Sequence, residues 1–143
     1  VYCLTVEPTA SFWDCPEFIV SAYKLEVGHS PGAPFFMLTA NLFTQLTSDP
    51  ALAAKMINYM SAITSAFTIL LLYLSITRLT RKLISGKREP QRISTVMLII
   101  SSGMVGALAY TFSDTFWFSA VEAEVYAYSS LFTALVFWLI LKW

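Results

Sequence analysis

Three runs without a charged side chain constrain this chain more than any other feature. Met56–Thr77, Ile93–Ser113 and Val125–Leu141 contain no Asp, Glu, Lys or Arg. At 1.5 Å per helical residue the first two reach roughly 33 and 31 Å. A hydrocarbon core is about 30 Å thick, and only a helix satisfies its own backbone inside one. The third run is cut off by the end of the chain. Composition agrees: 57% of residues are hydrophobic and 13% charged, against about 25% charged in soluble domains. The formal net charge is zero, so a basic footprint for nucleic acid is missing. We expect an all-α polytopic membrane protein. A start at Val1 and an end at Trp143 inside an apolar run suggest a piece of a longer chain.

The segments between the runs divide as follows. Residues 1–10 read as the end of a truncated first span. Residues 11–53 form a loop with two juxtamembrane amphipathic helices, and 54–77 are a span. Residues 78–92 are a basic loop: Arg78, Arg81, Lys82, Lys87, Arg88 and Arg92 stand against Glu89 alone. Residues 93–113 are a span, 114–124 a loop and 125–143 a span. A short loop this basic belongs on the cytoplasmic side. Parity then puts eight of the nine acids on the opposite side, including Glu7, Asp14, Glu17, Glu26, Glu122 and Glu124.

The first juxtamembrane helix is expected over Asp14–Val27. Asp14 as N-cap and Glu17 three residues on make a capping box, and Gly28 is the stop. Phe18, Ile19, Ala22, Tyr23 and Leu25 would form its apolar face. Phe35–Leu46 is about 18 Å of helix, too short to cross, and reads as interfacial or re-entrant. Ser61, Ala62, Ser65 and Ala66 suit close packing in the first span, and Gly103 and Gly106 let a neighbour approach the second. Trp117 and its Phe neighbours fit an interfacial belt.

Several residues carry two readings. Asp14 and Glu17 are either helix caps or a carboxylate pair held at the membrane surface for chemistry. His29 is either a turn residue or a phosphate or sugar partner. Lys24 and Lys55 either snorkel or meet a phosphate. Glu122 and Glu124 point the same way only if their segment is extended; otherwise they are a solvated loop. Cys3 and Cys15 form a disulfide or, the reading we prefer, stay free. One His and two Cys make no zinc set. The sequence names no cofactor; a divalent cation is the one candidate, and Asp14, Glu17, Glu122 and Glu124 are the acids that could hold it.

Certain strings resemble a known family. They are Glu7-Pro8-Thr9, Phe12-Trp13-Asp14-Cys15-Pro16-Glu17-Phe18, Ala22-Tyr23-Lys24-Leu25, Val27-Gly28-His29-Ser30-Pro31-Gly32-Ala33-Pro34, and the run from Ala109 to Ala127. They are similar to large bacterial polytopic proteins grouped with protein O-mannosyltransferases in the GT-C superfamily. Pro16 stands where that family has Gly, and Ser30 where it has Pro.

The resemblance implies the N-terminal part of a GT-C-like helical core. It implies transfer of a sugar, mannose by analogy, from a polyprenyl-phosphate donor to a hydroxyl of a protein or other acceptor. Asp14 and Glu17 would be the catalytic acids; Lys24, His29, Glu122, Glu124 and Tyr126 would bind substrate. The partners are the lipid donor, the acceptor and membrane lipid. The location implied is a bacterial inner membrane with the active loop facing the periplasm. The competing class is a non-catalytic transporter, flippase subunit or assembly module. A transporter should carry ionisable groups mid-span, and here the spans are charge-free.

Overall fold

A computed structural model describes residues 1–30, 32–84 and 92–143. The middle of the basic segment, with Lys87, Arg88 and Glu89, and Pro31 in the turn before the second helix, lie outside the described residues.

Among the described residues the fold is all-helical, with six α-helices in order: α1 Cys15–Lys24, α2 Pro34–Thr44, α3 Ala53–Ile84, α4 Ile93–Thr111, α5 Asp114–Val121 and α6 Val125–Lys142. Three of them, α3, α4 and α6, are long and apolar enough to cross a membrane. α3 is the axis of the bundle. Its 32 residues reach roughly 48 Å, well past the expected span. It packs against α2, α4, α5 and α6. Arg78, Arg81 and Lys82 therefore ride on the last turns of a helix rather than in a loop. They lie at the opposite end of α3 from α1 and α2.

The α3–α4 contact is made through glycine. A Cβ on Gly103 would sit 2.5 Å from Thr77 Cγ2, and one on Gly106 would sit 2.6 Å from Ile76 Cδ1. Of the small residues expected to pack α3, Ser61, Ala62 and Ser65 are buried, whereas Ala66 faces outward. The outer faces of α4 and α6 expose Met97, Met104, Val105, Val136 and Ile140. Lipid is as apolar as these side chains, so exposing them there carries no hydrophobic penalty.

The site end differs from expectation in four places. Residues 1–10 are not helical apart from one 3-10 turn, Tyr2–Leu4. Tyr2 is buried against Phe116 and Trp117, and its hydroxyl donates to the Thr111 carbonyl at 2.9 Å. α1 stops at Lys24, three residues early. Leu25 takes a left-handed conformation and the Glu26 N–H bonds the Ser21 carbonyl, the six-to-one closure of a Schellman motif. Tyr23 and Leu25 are consequently exposed, and the buried stripe is Cys15, Phe18, Ile19 and Ala22. Residues 114–121, expected as loop, form α5. Finally, Phe116 is a core residue with Ala62, Ala120 and Val121 rather than part of a belt.

α2 is too short to span. It buries Phe36, Met37 and Ala40 together with Phe18 and Ile19 of α1 and Ile57 and Met60 of α3. It exposes Phe35, Leu38 and Leu42 on its other side. This cluster locks α1 and α2 onto the first turns of α3.

Candidate functional site

Asp14 occupies the N-cap position of α1, yet its side chain caps nothing. An N-cap residue is normally extended, so its oxygen can accept from the second or third N–H of the helix. Asp14 has φ −83° and ψ −10°, already helical, which turns the carboxylate away from the helix end. The expected capping box is not formed. Glu17 does not reach back to Asp14; it reaches across to the turn after α1. Its Oε1 accepts from the His29 backbone N–H at 2.6 Å, and its Oε2 lies 3.0 Å from His29 Nδ1. The His29 backbone N–H, and then its imidazole, hold Glu17 below the usual carboxylate range. His29 Nε2 faces Asp14 Oδ2 at 3.9 Å. Glu17 and His29 thus form a clamp that brings the turn under Asp14 and leaves the Asp14 carboxylate without a short contact.

Gly28 serves this clamp. A Cβ there would meet Glu17 Oε1 and Met37 Cε, each at 3.3 Å. It is needed for close approach, not as the helix stop.

Behind Asp14, Cys15 is fully buried. Its thiol lies 3.3 Å from Glu124 Oε1 and 3.8 Å from Glu122 Oε2. One S–H can serve one acceptor at a time, and the shorter contact is to Glu124. Both glutamates are extended, with φ/ψ of −123°/160° and −116°/143°. Between them the Glu124 N–H bonds the Glu122 carbonyl at 2.9 Å, a tight turn at Ala123, and both carboxylates come to Cys15, so this pair is no solvated loop. Burial, then the charges of the two glutamates, push the Cys15 thiol up. Burial is also the main reason Glu124 lies above its usual range; the Cys15 contact opposes this, and the charges of Asp14 and Glu122 add to it.

The cysteines are free, Cys3 exposed and Cys15 buried. A buried thiol kept protonated is a poor nucleophile. A maleimide at pH 7.5 should therefore label Cys3 and spare Cys15 in the folded protein, with both labelled after unfolding. Mass spectrometry of the tryptic peptides checks this.

Asp14, Glu122, Glu124 and Tyr126 line one open cavity of about 820 Å³. Its floor comes from α4 and α5, with Tyr110, Ser113 and Ser119 among them, and Phe12 and Trp13 flank Asp14. Among the described residues no Lys, Arg or His lines it. Glu17 and His29 sit on the α1 side of Asp14. Lys24, on the last turn of α1, is roughly 15 Å along the helix from Asp14 and is not brought to the cavity. Among the described residues no three His, Cys, Asp or Glu side chains converge on a metal position, so the four acids do not assemble as a cation site.

Asn58 was not singled out from the sequence. It is buried in α3, and its amide donates to the carbonyls of Glu7 at 2.7 Å and Thr9 at 3.0 Å. The Glu7 N–H in turn bonds the Val121 carbonyl. These contacts anchor the segment that leads into Asp14 beside the Glu122–Glu124 turn. The available signal was a lone amide near the start of a charge-free run.

The family profile described as the Protein O-mannosyl-transferase TMEM260 N-terminal domain matches residues 14–143. The chain belongs to this family. Among curated relatives of this TMEM260-type domain, the Protein O-mannosyl-transferase tmem260 of Dictyostelium discoideum is 26% identical over 97% of the chain. The Protein O-mannosyl-transferase TMEM260 of Mus musculus is 28% identical over 95% of it. The TMEM260-type domain spans only 15% and 17% of those two proteins' lengths. No solved structure matches the chain.

Proposed function

We propose that this domain is the catalytic end of a membrane glycosyltransferase of GT-C type. The full protein moves a sugar, mannose by its relatives' name, from a polyprenyl-phosphate donor to a hydroxyl of a protein acceptor. The observation that carries this is the Asp14 carboxylate. It stands at the cavity mouth, uncapped and unpaired at short range, in a chain whose relatives are named O-mannosyl-transferases.

The chemistry is asymmetric. A phosphate is a good leaving group, so no general acid is needed. The acceptor hydroxyl is a poor nucleophile and must lose its proton. Asp14 takes that proton as the hydroxyl oxygen forms a bond to the sugar's anomeric carbon. The bond from that carbon to the phosphate oxygen breaks, and its electron pair leaves with the polyprenyl phosphate. One displacement inverts the anomeric configuration. A glycosidase needs two carboxylates because its leaving group must be protonated; here one suffices. Glu17 fixes the turn under Asp14 through His29. His29 meets the donor phosphate from the α1 side of Asp14, as a preorganised donor to its negative charge; Lys24, expected there from the sequence, stands too far along α1 to share it. Glu122, Glu124 and Tyr126 receive the acceptor from the cavity side.

The charge layout supports surface chemistry over transport. In the described parts of α3, α4 and α6, charged side chains stand near the helix ends: Lys55, Arg78, Arg81, Lys82 and Lys142. The site end then faces away from the cytoplasm, toward the periplasm of a bacterial inner membrane or its topological equivalent.

The test uses membranes holding the full-length protein and a polyprenyl-phosphate donor with labelled mannose. Label should appear on an acceptor hydroxyl with the anomeric configuration opposite to the donor's. Retention of configuration, or no transfer, removes this function. In the same membranes, and with Cys3 replaced by Ser, Val20→Cys should react with an impermeant thiol reagent from outside and Leu83→Cys only after permeabilisation; the reverse pattern overturns the orientation.

A further inference from the structure

Trp13, next to Asp14, is out of place by two measures. It has φ 62°, a left-handed conformation that is an outlier for a bulky residue. The other described non-glycine residues with positive φ have local reasons: Leu25 closes α1, and Ala33 precedes the helix-starting Pro34. Trp13 caps no helix. Its indole is also 93% exposed, although Trp is highly buried on average. Backbone in a sparsely populated region persists where the surrounding structure over-determines it, and such residues cluster at active sites and ligand clamps.

The wall that Trp13 joins says what the ring faces. The cavity that it lines mixes the acids Asp14, Glu122 and Glu124 and several hydroxyls with the rings of Phe12, Phe116 and Phe118. The face of an indole is electron-rich and attracts the weakly positive C–H face of a pyranose. Carboxylates and hydroxyls accept from and donate to the sugar's rim. A purely interfacial tryptophan would sit at headgroup level among apolar side chains alone; here the apolar rings share the wall with three carboxylates.

We propose that Trp13 is the stacking platform for the sugar ring of the donor, holding the anomeric carbon within reach of the hydroxyl that Asp14 deprotonates. This rests on the glycosyltransferase reading above.

The test measures sugar transfer by the full-length protein carrying Trp13→Phe, Trp13→Ala or Trp13→Gly. Glycine accepts φ 62° without strain, so Trp13→Gly removes the ring while easing the backbone. Its apparent melting temperature should stay level or rise, yet its donor KM should increase by about tenfold or more. Trp13→Ala should show the same KM defect, and Trp13→Phe should stay within about threefold of wild type. Acceptor KM should hold in all three. Three results overturn the platform. The first is a donor KM in Trp13→Gly within about twofold of wild type. The second is a loss shared by all three variants with a fall in melting temperature, which makes Trp13 a packing residue. The third is a defect with a long-chain donor that vanishes with a short-chain one, which assigns the ring to lipid. An active wild type with an indifferent Trp13→Gly sinks the platform alone, whereas a wild type that transfers no sugar sinks the glycosyltransferase reading and the platform with it.

Discussion

Replacing Asp14 with Asn in the full-length protein should lower sugar transfer by about 10²–10⁴-fold, the usual worth of a positioned general base. That corresponds to roughly 3–5 kcal/mol of lost transition-state stabilisation. The amide has nearly the same shape but cannot accept the proton. Stability should hardly move. The Asp14 side chain makes no cap hydrogen bond, it is 58% exposed, and its approach to His29 is a loose 3.9 Å. Exposed substitutions of this kind stay within about 0.5 kcal/mol. The measurement is turnover at saturating donor beside thermal unfolding in detergent. Near wild-type turnover in a well-folded variant would remove Asp14 from the chemistry. Glu17→Gln gives the contrast. It weakens the His29 clamp and leaves the Asp14 carboxylate, the proposed base, in place, so its defect should be smaller than that of Asp14→Asn.

Gly103→Ala should destabilise the bundle by about 1–3 kcal/mol, the range for overpacking a filled interface. The new methyl would lie 2.5 Å from Thr77 Cγ2 and 2.9 Å from the Tyr73 ring. Thr77 cannot turn aside, because its hydroxyl is bonded to the carbonyls of Tyr73 and Leu74 at 3.0 Å each. Gly106→Ala is the control. Its methyl meets Ile76 Cδ1, the free end of a flexible side chain, and alanine gains about 1 kcal/mol of helix propensity over glycine. That variant should come out near neutral. Denaturation in mixed detergent micelles, followed by circular dichroism, separates the two. Equal stability of both variants would mean that α3 and α4 part easily and that glycine is not required at their contact.

The spans were legible because a bilayer imposes a one-dimensional rule. Charge-free length decides what can cross, whatever the neighbours are: α3 and α6 each contain one of the three runs, and α4 covers the third except for Phe112 and Ser113. α2 was legible for the same reason, being too short to cross. Gly103 and Gly106 were legible as a contact face because removing a Cβ has few other uses in the middle of an apolar helix.

Sequence alone could not decide what Asp14 does. Its spacing to Glu17 is that of a capping box, and both residues could have been absorbed by the helix end. The backbone at Asp14 and the turn at Gly28–His29 decided otherwise, drawing Glu17 across to His29 and leaving Asp14 uncapped, 3.9 Å from the imidazole. Nor could spacing join Cys15 to Glu122 and Glu124, more than a hundred residues on, since that contact exists only because α3 carries α1 on one side and α5 and α6 on the others. The cavity, Asn58 and the exposed Trp13 belong to the same class. Local rules act over a turn or two of helix and set which segments enter the membrane. A site built at the meeting of four helices depends on how those segments pack, and packing is decided by side-chain shape across distances that no local pattern records.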